Sequence, residues 1–190
     1  YGGYVDHAVK NCLFIDNNAN RHGGAIWVGL FATPTITNST FVANDAGRLG
    51  GAIFCDWDSD ATVRDCIFQA NSKVAFAEAY FGNSIITHSL FYENPDGDYG
   101  VYDEATKVTQ TTVGAELDVT NIEADPLFVD GPLGRVYLSQ VAAGQEATSP
   151  AVDAGSSLAE SIGLAERTTR TDGVGDEGAV DLGFHFRDHT

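Results

Sequence analysis

The chain repeats itself. Phe14-Ile15-Asp16-Asn17 recurs as Phe41-Val42-Ala43-Asn44, Phe68-Gln69-Ala70-Asn71 and Phe91-Tyr92-Glu93-Asn94, at spacings of 27, 27 and 23 residues. Nine residues after each Phe a second motif begins: Gly23-Gly24-Ala25-Ile26, Gly50-Gly51-Ala52-Ile53, a degraded Ala77-Glu78-Ala79-Tyr80, and Gly100-Val101-Tyr102. A third motif ends on each Phe: Val9-Lys10-Asn11-Cys12-Leu13-Phe14, Ile36-Thr37-Asn38-Ser39-Thr40-Phe41, Val63-Arg64-Asp65-Cys66-Ile67-Phe68 and Ile86-Thr87-His88-Ser89-Leu90-Phe91. A fading fifth copy reads Val108-Thr109-Gln110-Thr111-Thr112-Val113. Motifs that hold phase over several copies constrain the architecture more tightly than local propensity does.

The repeated segments are short, rich in Val, Ile, Thr and Phe, and separated by Gly, Asn and Asp. None has the length or periodicity of an amphipathic helix, so helix-pair solenoids and leucine-rich horseshoes fit poorly. A period in the twenties suits one turn of a parallel β-solenoid, with coils stacked at about 4.8 Å. The expected fold is all-β: a parallel β-helix of about five coils over residues 1–113, then at 114–190 a terminal coil and an irregular, acidic C-terminal cap. Val9, Ile36, Val63 and Ile86 would form an inward aliphatic column, and Phe14, Phe41, Phe68 and Phe91 an aromatic one. Asn17, Asn44, Asn71 and Asn94 would sit at a turn where stacked amides bond from coil to coil.

Gly-Gly-Ala-Ile combined with Phe-x-x-Asn resembles the secreted bacterial right-handed parallel β-helix repeat proteins, including the passenger regions of polymorphic outer-membrane proteins. The last third is similar to the C-terminal end of large secreted β-helix proteins, through Ala124-Asp125-Pro126-Leu127-Phe128-Val129-Asp130-Gly131-Pro132, Tyr137-Leu138-Ser139-Gln140, Ser149-Pro150-Ala151-Val152-Asp153-Ala154-Gly155 and the run from Thr171 to Gly183. The resemblance implies a right-handed coil and export. It implies no single activity, because the family spans lyases, epimerases and adhesins.

Charge divides the chain. Residues 1–95 hold 9 acids and 5 bases, and residues 96–190 hold 18 acids and 5 bases, so the net falls from −4 to −13. The total of −17 excludes nucleic acid and anionic membrane surfaces as partners, which need clustered Lys and Arg. No run approaches the ~18 apolar residues of a membrane span, and no signal peptide is visible. The chain contains no Met and opens on Tyr1-Gly2-Gly3 in what reads as mid-repeat, so it is expected to be a piece of a longer protein with structure upstream. Residues 156–167 read as the one helix, capped by Ser156 or Ser157 with Glu160 following. Leu158, Ile162 and Leu164 would dock over the open end of the stack.

Asp172, Asp176, Glu177 and Asp181 are the candidate metal ligands, for calcium, because carboxylates among glycines let the backbone fold oxygens around a hard ion. Their spacing is not that of an EF-hand, and a self-capped acidic turn accounts for the same residues. Asp56-Trp57-Asp58-Ser59-Asp60 and Asp96-Gly97-Asp98 are weaker candidates. Calcium is the only cofactor raised. Cys12 and Cys66 share a column two coils apart, about 9–10 Å, beyond disulfide reach. Cys55, aligned with Val28 and Phe81, reads as a buried strand residue, and no Cys-x-x-Cys pair supports zinc or haem. His88 falls in the column of Asn11, Asn38 and Asp65 and reads as a polar turn residue, while His185 and His189 lack a third ligand. Asn38-Ser39-Thr40 is a glycosylation sequon inside a strand segment.

A lyase or epimerase of acidic polysaccharide needs a Lys or Arg base and metal-binding acids on one outer face. Lys10 and Arg64 share a column, but Thr37 and Thr87 fill its other rungs and no acid ladder accompanies them. A hydrolase of neutral glycans needs two carboxylates at a defined separation, for which Asp56, Asp58 and Asp65 are present. Trp57, in the acidic loop, reads as an exposed sugar-stacking residue; Trp27, at the repeat position of Phe54, reads as core or lateral packing. No catalytic residue is assigned. The expected function is that of a non-catalytic extracellular or cell-surface β-helix exported by a bacterium, with a structural, adhesive or assembly role in a surface layer, matrix or filament. Its partners would be other surface or matrix proteins, copies of itself, or polysaccharide. The alternative is a carbohydrate-active β-helix: a polysaccharide lyase, an epimerase or a glycan-binding module.

Overall fold

A computed structural model describes residues 7–29, 31–79, 82–103 and 108–187, with the backbone alone at 108–110. Coil one carries β1 (Ala8–Lys10), β2 (Leu13–Ile15), β3 (Asn18–Ala19) and β4 (Ile26–Val28); coil two carries β5 (Thr35–Thr37), β6 (Thr40–Val42), β7 (Asp45–Ala46) and β8 (Ile53–Cys55). Coil three has β9 (Thr62–Arg64), β10 (Ile67–Gln69) and β11 (Phe76–Ala79), and coil four β12 (Ile85–Thr87), β13 (Leu90–Tyr92) and β14 (Tyr99–Asp103). Like strands pair in parallel from coil to coil, which builds the sheets β1-β5-β9-β12, β2-β6-β10-β13 and β4-β8-β11-β14 and the short contact β3-β7. The expected all-β parallel solenoid is the observed fold.

The predicted columns are in register. Val9, Ile36, Val63 and Ile86 lie opposite one another. The rings of Phe14, Phe41, Phe68 and Phe91 stack nearly parallel, with centroids 4.9, 4.9 and 5.1 Å apart. Beside them Asn17 Nδ2 donates to Asn44 Oδ1 at 2.9 Å, Asn44 to Asn71 at 2.9 Å and Asn71 to Asn94 at 3.3 Å. The amides of Asn44 and Asn71 also donate to the carbonyls of Phe14 and Phe41. Both asparagines are fully buried, and this pairing is what makes two buried amides tolerable.

The two glycines of Gly-Gly-Ala-Ile have different tasks. Gly23 and Gly50 adopt φ of +64° and +68°, the left-handed region. A Cβ on Gly24 or Gly51 would stand 2.1 or 1.9 Å from a carbonyl oxygen of the next coil. In coil three this place is held by Lys73-Val74-Ala75-Phe76, with Phe76 opposite both Ile53 and Tyr99. Ala77-Glu78-Ala79-Tyr80 is therefore not the third copy of the motif, nor Gly100-Val101-Tyr102 the fourth. The residues missing from the shorter coil come out between Asn71 and Phe76, where the first two coils make β3 and β7, so the motif starts four residues early. Glu78 consequently pairs with Cys55, the place expected of Phe81. Tyr80 and Phe81 lie outside the described residues.

Two further expectations change at the C-terminal end. β15 (Val108–Thr112) is not a fifth rung of the Val9 column; it turns back and pairs antiparallel with β14. Next, α1 (Gly114–Leu117) crosses the end of the stack with Leu117 against the core, and a Cβ on Gly114 would fall 2.2 Å from the Phe91 ring. A fifth coil then contributes only β16 (Ile122–Glu123) beside β13, so complete coils are fewer than expected.

The remaining segment does not plug the open end. It runs back along the outer face of the β2-β6-β10-β13-β16 sheet. β17 (Phe128–Gly131) and β18 (Gly134–Leu138) form an antiparallel hairpin, and β19 (Arg167–Thr168) pairs with β20 (Phe186–Arg187). Val136, Tyr137 and Phe186 pack on Leu13, Ile15 and Val42, and Leu138, Ala151 and Leu182 pack on Ile67 and Leu90. This sheet has apolar side chains on both faces, with Phe inward and Leu or Ile outward, so it needs a second layer. Within the cover, the predicted helix at 156–167 shrinks to a single 3₁₀ turn, Glu160–Ile162, ended by left-handed Gly163. Leu164 is buried with Ala159 and Val180 and Ile162 packs beside them, whereas Leu158 is exposed.

Candidate functional site

The acidic loop is held together by its own contacts. Arg170 grips Asp172 with two bonds, Nε to Oδ1 at 2.9 Å and Nη2 to Oδ2 at 2.6 Å, which holds the Asp172 carboxyl below its ordinary range. Asp176 is buried; its Oδ2 accepts the Asp181 backbone N–H at 2.9 Å and lies 2.8 Å from Nε2 of the fully buried His185. Asp181 is also buried. It accepts from Thr169 Oγ1, from Gln140 Nε2 at 3.2 Å and from the Asp153 N–H at 2.8 Å. Burial, reinforced by the neighbouring Asp176, pushes the Asp181 carboxyl up to about 6. Glu177 is exposed at the rim of a small cleft of about 140 Å³ that these residues line. The four calcium candidates thus split between an ion pair, a buried network and solvent. Among the described residues no three metal-ligating side chains converge.

The turn column Asn11, Asn38, Asp65, His88 has a role that the spacing did not reveal. All four adopt left-handed φ, between 45° and 57°. Two of the side chains meet the C-terminal cover: Asn11 exchanges two hydrogen bonds with the His185 backbone, at 2.9 and 2.7 Å, and Asp65 accepts from Ser156 N and Oγ at 2.6 and 2.8 Å. Asn38 is 1% exposed, so the sequon is closed to modification in the folded chain, and its Nδ2 has no partner among the described residues. His88 is partly buried, its backbone N–H donating to Thr120 Oγ1. His185 belongs to the network just described rather than to a helical pair, and His189 lies outside the described residues.

The cysteines are free, as expected. Cys55 and Cys66 are buried, and desolvation pushes both thiols up to about 12. Lys10 donates to the Ile162 carbonyl and so ties down the cover, whereas Arg64 is exposed. Asp65 faces Ser156 on the covered side, away from Asp56 and Asp58 in the loop after β8, so the structure does not bring these carboxylates together. Asp98, from the weaker Asp96 group, is buried and accepts from Asn94 Nδ2 and from the Gly114 N–H. Beside it, burial and the Asp98 charge push Glu123 up to about 7. These two carboxylates, like Glu78 bonded to the Tyr99 hydroxyl inside the coil, carried no signal in the sequence beyond being acids.

Trp27 corrects its reading. It pairs with Phe54 in register as the repeat demands, but its ring turns outward over Gly29 and is 55% exposed. Phe31, at 52%, and Trp57, at 48%, are exposed in the loops that follow on the same two coils, where the Phe31 N–H donates to the Trp57 carbonyl.

The family model for the right-handed β-helix region matches residues 2–113, more than half of the chain. The chain therefore belongs to the right-handed β-helix family. No match was found among curated proteins or among solved structures. No described helix is long and apolar enough to cross a membrane.

Proposed function

We propose that this β-helix is a non-catalytic extracellular or cell-surface protein with a structural, adhesive or assembly role. One observation carries the reading: four of the candidate carboxylates are bound into the architecture, Asp65 on Ser156, Asp172 on Arg170, Asp176 on His185, and Asp181 on Thr169 and Gln140, while Asp56 and Asp58 lie apart from Asp65 in the loop after β8. What remains outward is a stiff laddered frame with a strongly acidic charge, suited to contacts with surface or matrix proteins, copies of itself or polysaccharide. Protease shaving of intact cells that make the full-length protein is expected to release it. Protection on intact cells with cleavage only after lysis would overturn the assignment. A panel of acidic and neutral polysaccharides is expected to yield no unsaturated or reducing ends.

Trp27, Phe31 and Trp57 favour the second reading, a glycan-binding module, because exposed aromatic rings offer flat apolar faces with little ordering cost. Affinity electrophoresis through polysaccharide gels decides it. Retardation that Trp57→Ala abolishes would establish this reading, and unretarded migration in every gel would end it.

A further inference from the structure

We infer that the N-terminal face of the solenoid is a docking edge for one more parallel coil of the same Phe-x-x-Asn pattern. This goes beyond the proposed role and holds wherever the protein acts. Among the described residues β1, β2 and β4 each have a neighbour on one side only. Burial falls off toward that side: Asn44 and Asn71 are sealed while Asn17 is exposed, and Phe41 is sealed while Phe14 is only half-buried.

The edge is polar as well as apolar, and its polarity selects the occupant. Asn17, Asn44 and Asn71 each donate a backbone N–H and Nδ2 to the asparagine Oδ1 of the next coil, and the next coil's amide donates back only to a phenylalanine carbonyl, as Asn44 does to Phe14. Asn17 Oδ1 holds the acceptor place that Asn44, Asn71 and Asn94 fill in their own coils, and no described donor reaches it. The backbone follows the same rule: Thr35, Thr40 and Asp45 donate N–H groups to coil one at 2.9, 3.0 and 2.8 Å. Their counterparts Ala8, Leu13 and Asn18 point along the stack to where a preceding coil would lie. A strand lacking the asparagine leaves Oδ1 without a donor. A second whole copy cannot offer its last coil, because α1 and β15 cover that end.

Replacing residues 1–6 by a second copy of residues 7–33 sets a 27-residue coil in register ahead of His7, since His7 and Pro34 occupy the same place in the repeat. Amide hydrogen exchange at Ala8, Leu13 and Asn18 is expected to slow at least about tenfold. Phe14→Asp and Asn17→Leu made in the copy alone are expected to abolish that slowing. Unchanged exchange at these amides, with the core amides of β6 and β10 still protected, overturns the proposal, as does equal slowing in both variants. Should the direct fusion fail to fold, the copy is joined to the intact chain through a Gly-Ser linker and the same amides are read. Protection of these amides in the unaltered chain as its concentration rises would assign the edge to a second copy and overturn the proposal too.

Discussion

The solenoid and its C-terminal cover solve the same problem by opposite means. In the solenoid one contact is written several times: Phe on Phe, Asn on Asn, Val on Ile, each at the register set by the coil. In the cover every fastening is unique, such as Asp65 with Ser156, Asn11 with His185, and Asp181 with Thr169. A repeated contact shares any loss with the rungs above and below, whereas a unique one has no substitute. The first region should therefore fail as a unit, and the second by local detachment.

The sharpest way to break the contrast is Phe41→Ala, which empties one rung of a fully buried stack. It is expected to cost about 3–5 kcal/mol in urea unfolding, with all coils lost in one transition. Unaltered stability would mean that the ladder is not what holds the coils. Next comes Asn71→Ala, which strips the Asn44 backbone N–H and amide of their acceptor and the Phe41 carbonyl of a donor. Its expected cost is about 2–3 kcal/mol, and a loss under about 0.5 kcal/mol would reduce the amide ladder to decoration.

Asp65→Ala acts on the seam. Its expected cost is about 1–2 kcal/mol, and the telling readout is location: limited proteolysis within residues 124–187 should accelerate while exchange in β6 and β10 stays slow. Uniform acceleration would merge the two regions into one cooperative unit. pH sharpens the same division. Because burial raises Asp181 to about 6 from an ordinary value near 3.8, the folded cover prefers the protonated acid. Its contribution is complete below about pH 4 and is lost as pH rises through about 6. Asp181→Asn should flatten that slope, and an unchanged slope would assign it elsewhere; Glu123 gives the end closure the same sign. The smallest effect is expected from calcium. With the acids bound to Arg170, His185 and Thr169, added calcium and then excess chelator should leave the melting temperature of demetallated protein unchanged. A rise that Asp172→Asn and Asp176→Asn remove would restore the ion site.

Legibility in the sequence followed the same division. Columns of Val, Phe and Asn were readable because stacking forces one residue type into one place. The change of coil length hides the motif: with residues removed between Asn71 and Phe76, Ala77-Glu78-Ala79 imitates a motif that Lys73-Val74-Ala75 in fact supplies. At 156–167 the apolar spacing of Leu158, Ile162 and Leu164 suggests a helix that left-handed Gly163 ends after one turn. The lateral cover did have a signal: Leu-Phe-Ile, Ile-Phe-Gln and Leu-Phe-Tyr are apolar on both faces of one sheet, which calls for a second layer. The Asp176, Asp181 and His185 network had none, because its members meet through folds of the chain that no periodicity encodes.

One feature of the coils reaches beyond stability. Coils of 27 and of 23 residues advance the phenylalanine stack by nearly the same step, 4.9 and 5.1 Å, because the extra residues bulge sideways into β3 and β7 and never enter the columns. Physical length and chain length are thus uncoupled. The span of the molecule counts rungs, and a rung can carry or shed its sideways excursion, so the flank at β3 and β7 can differ in length while the distance between the two ends stays fixed.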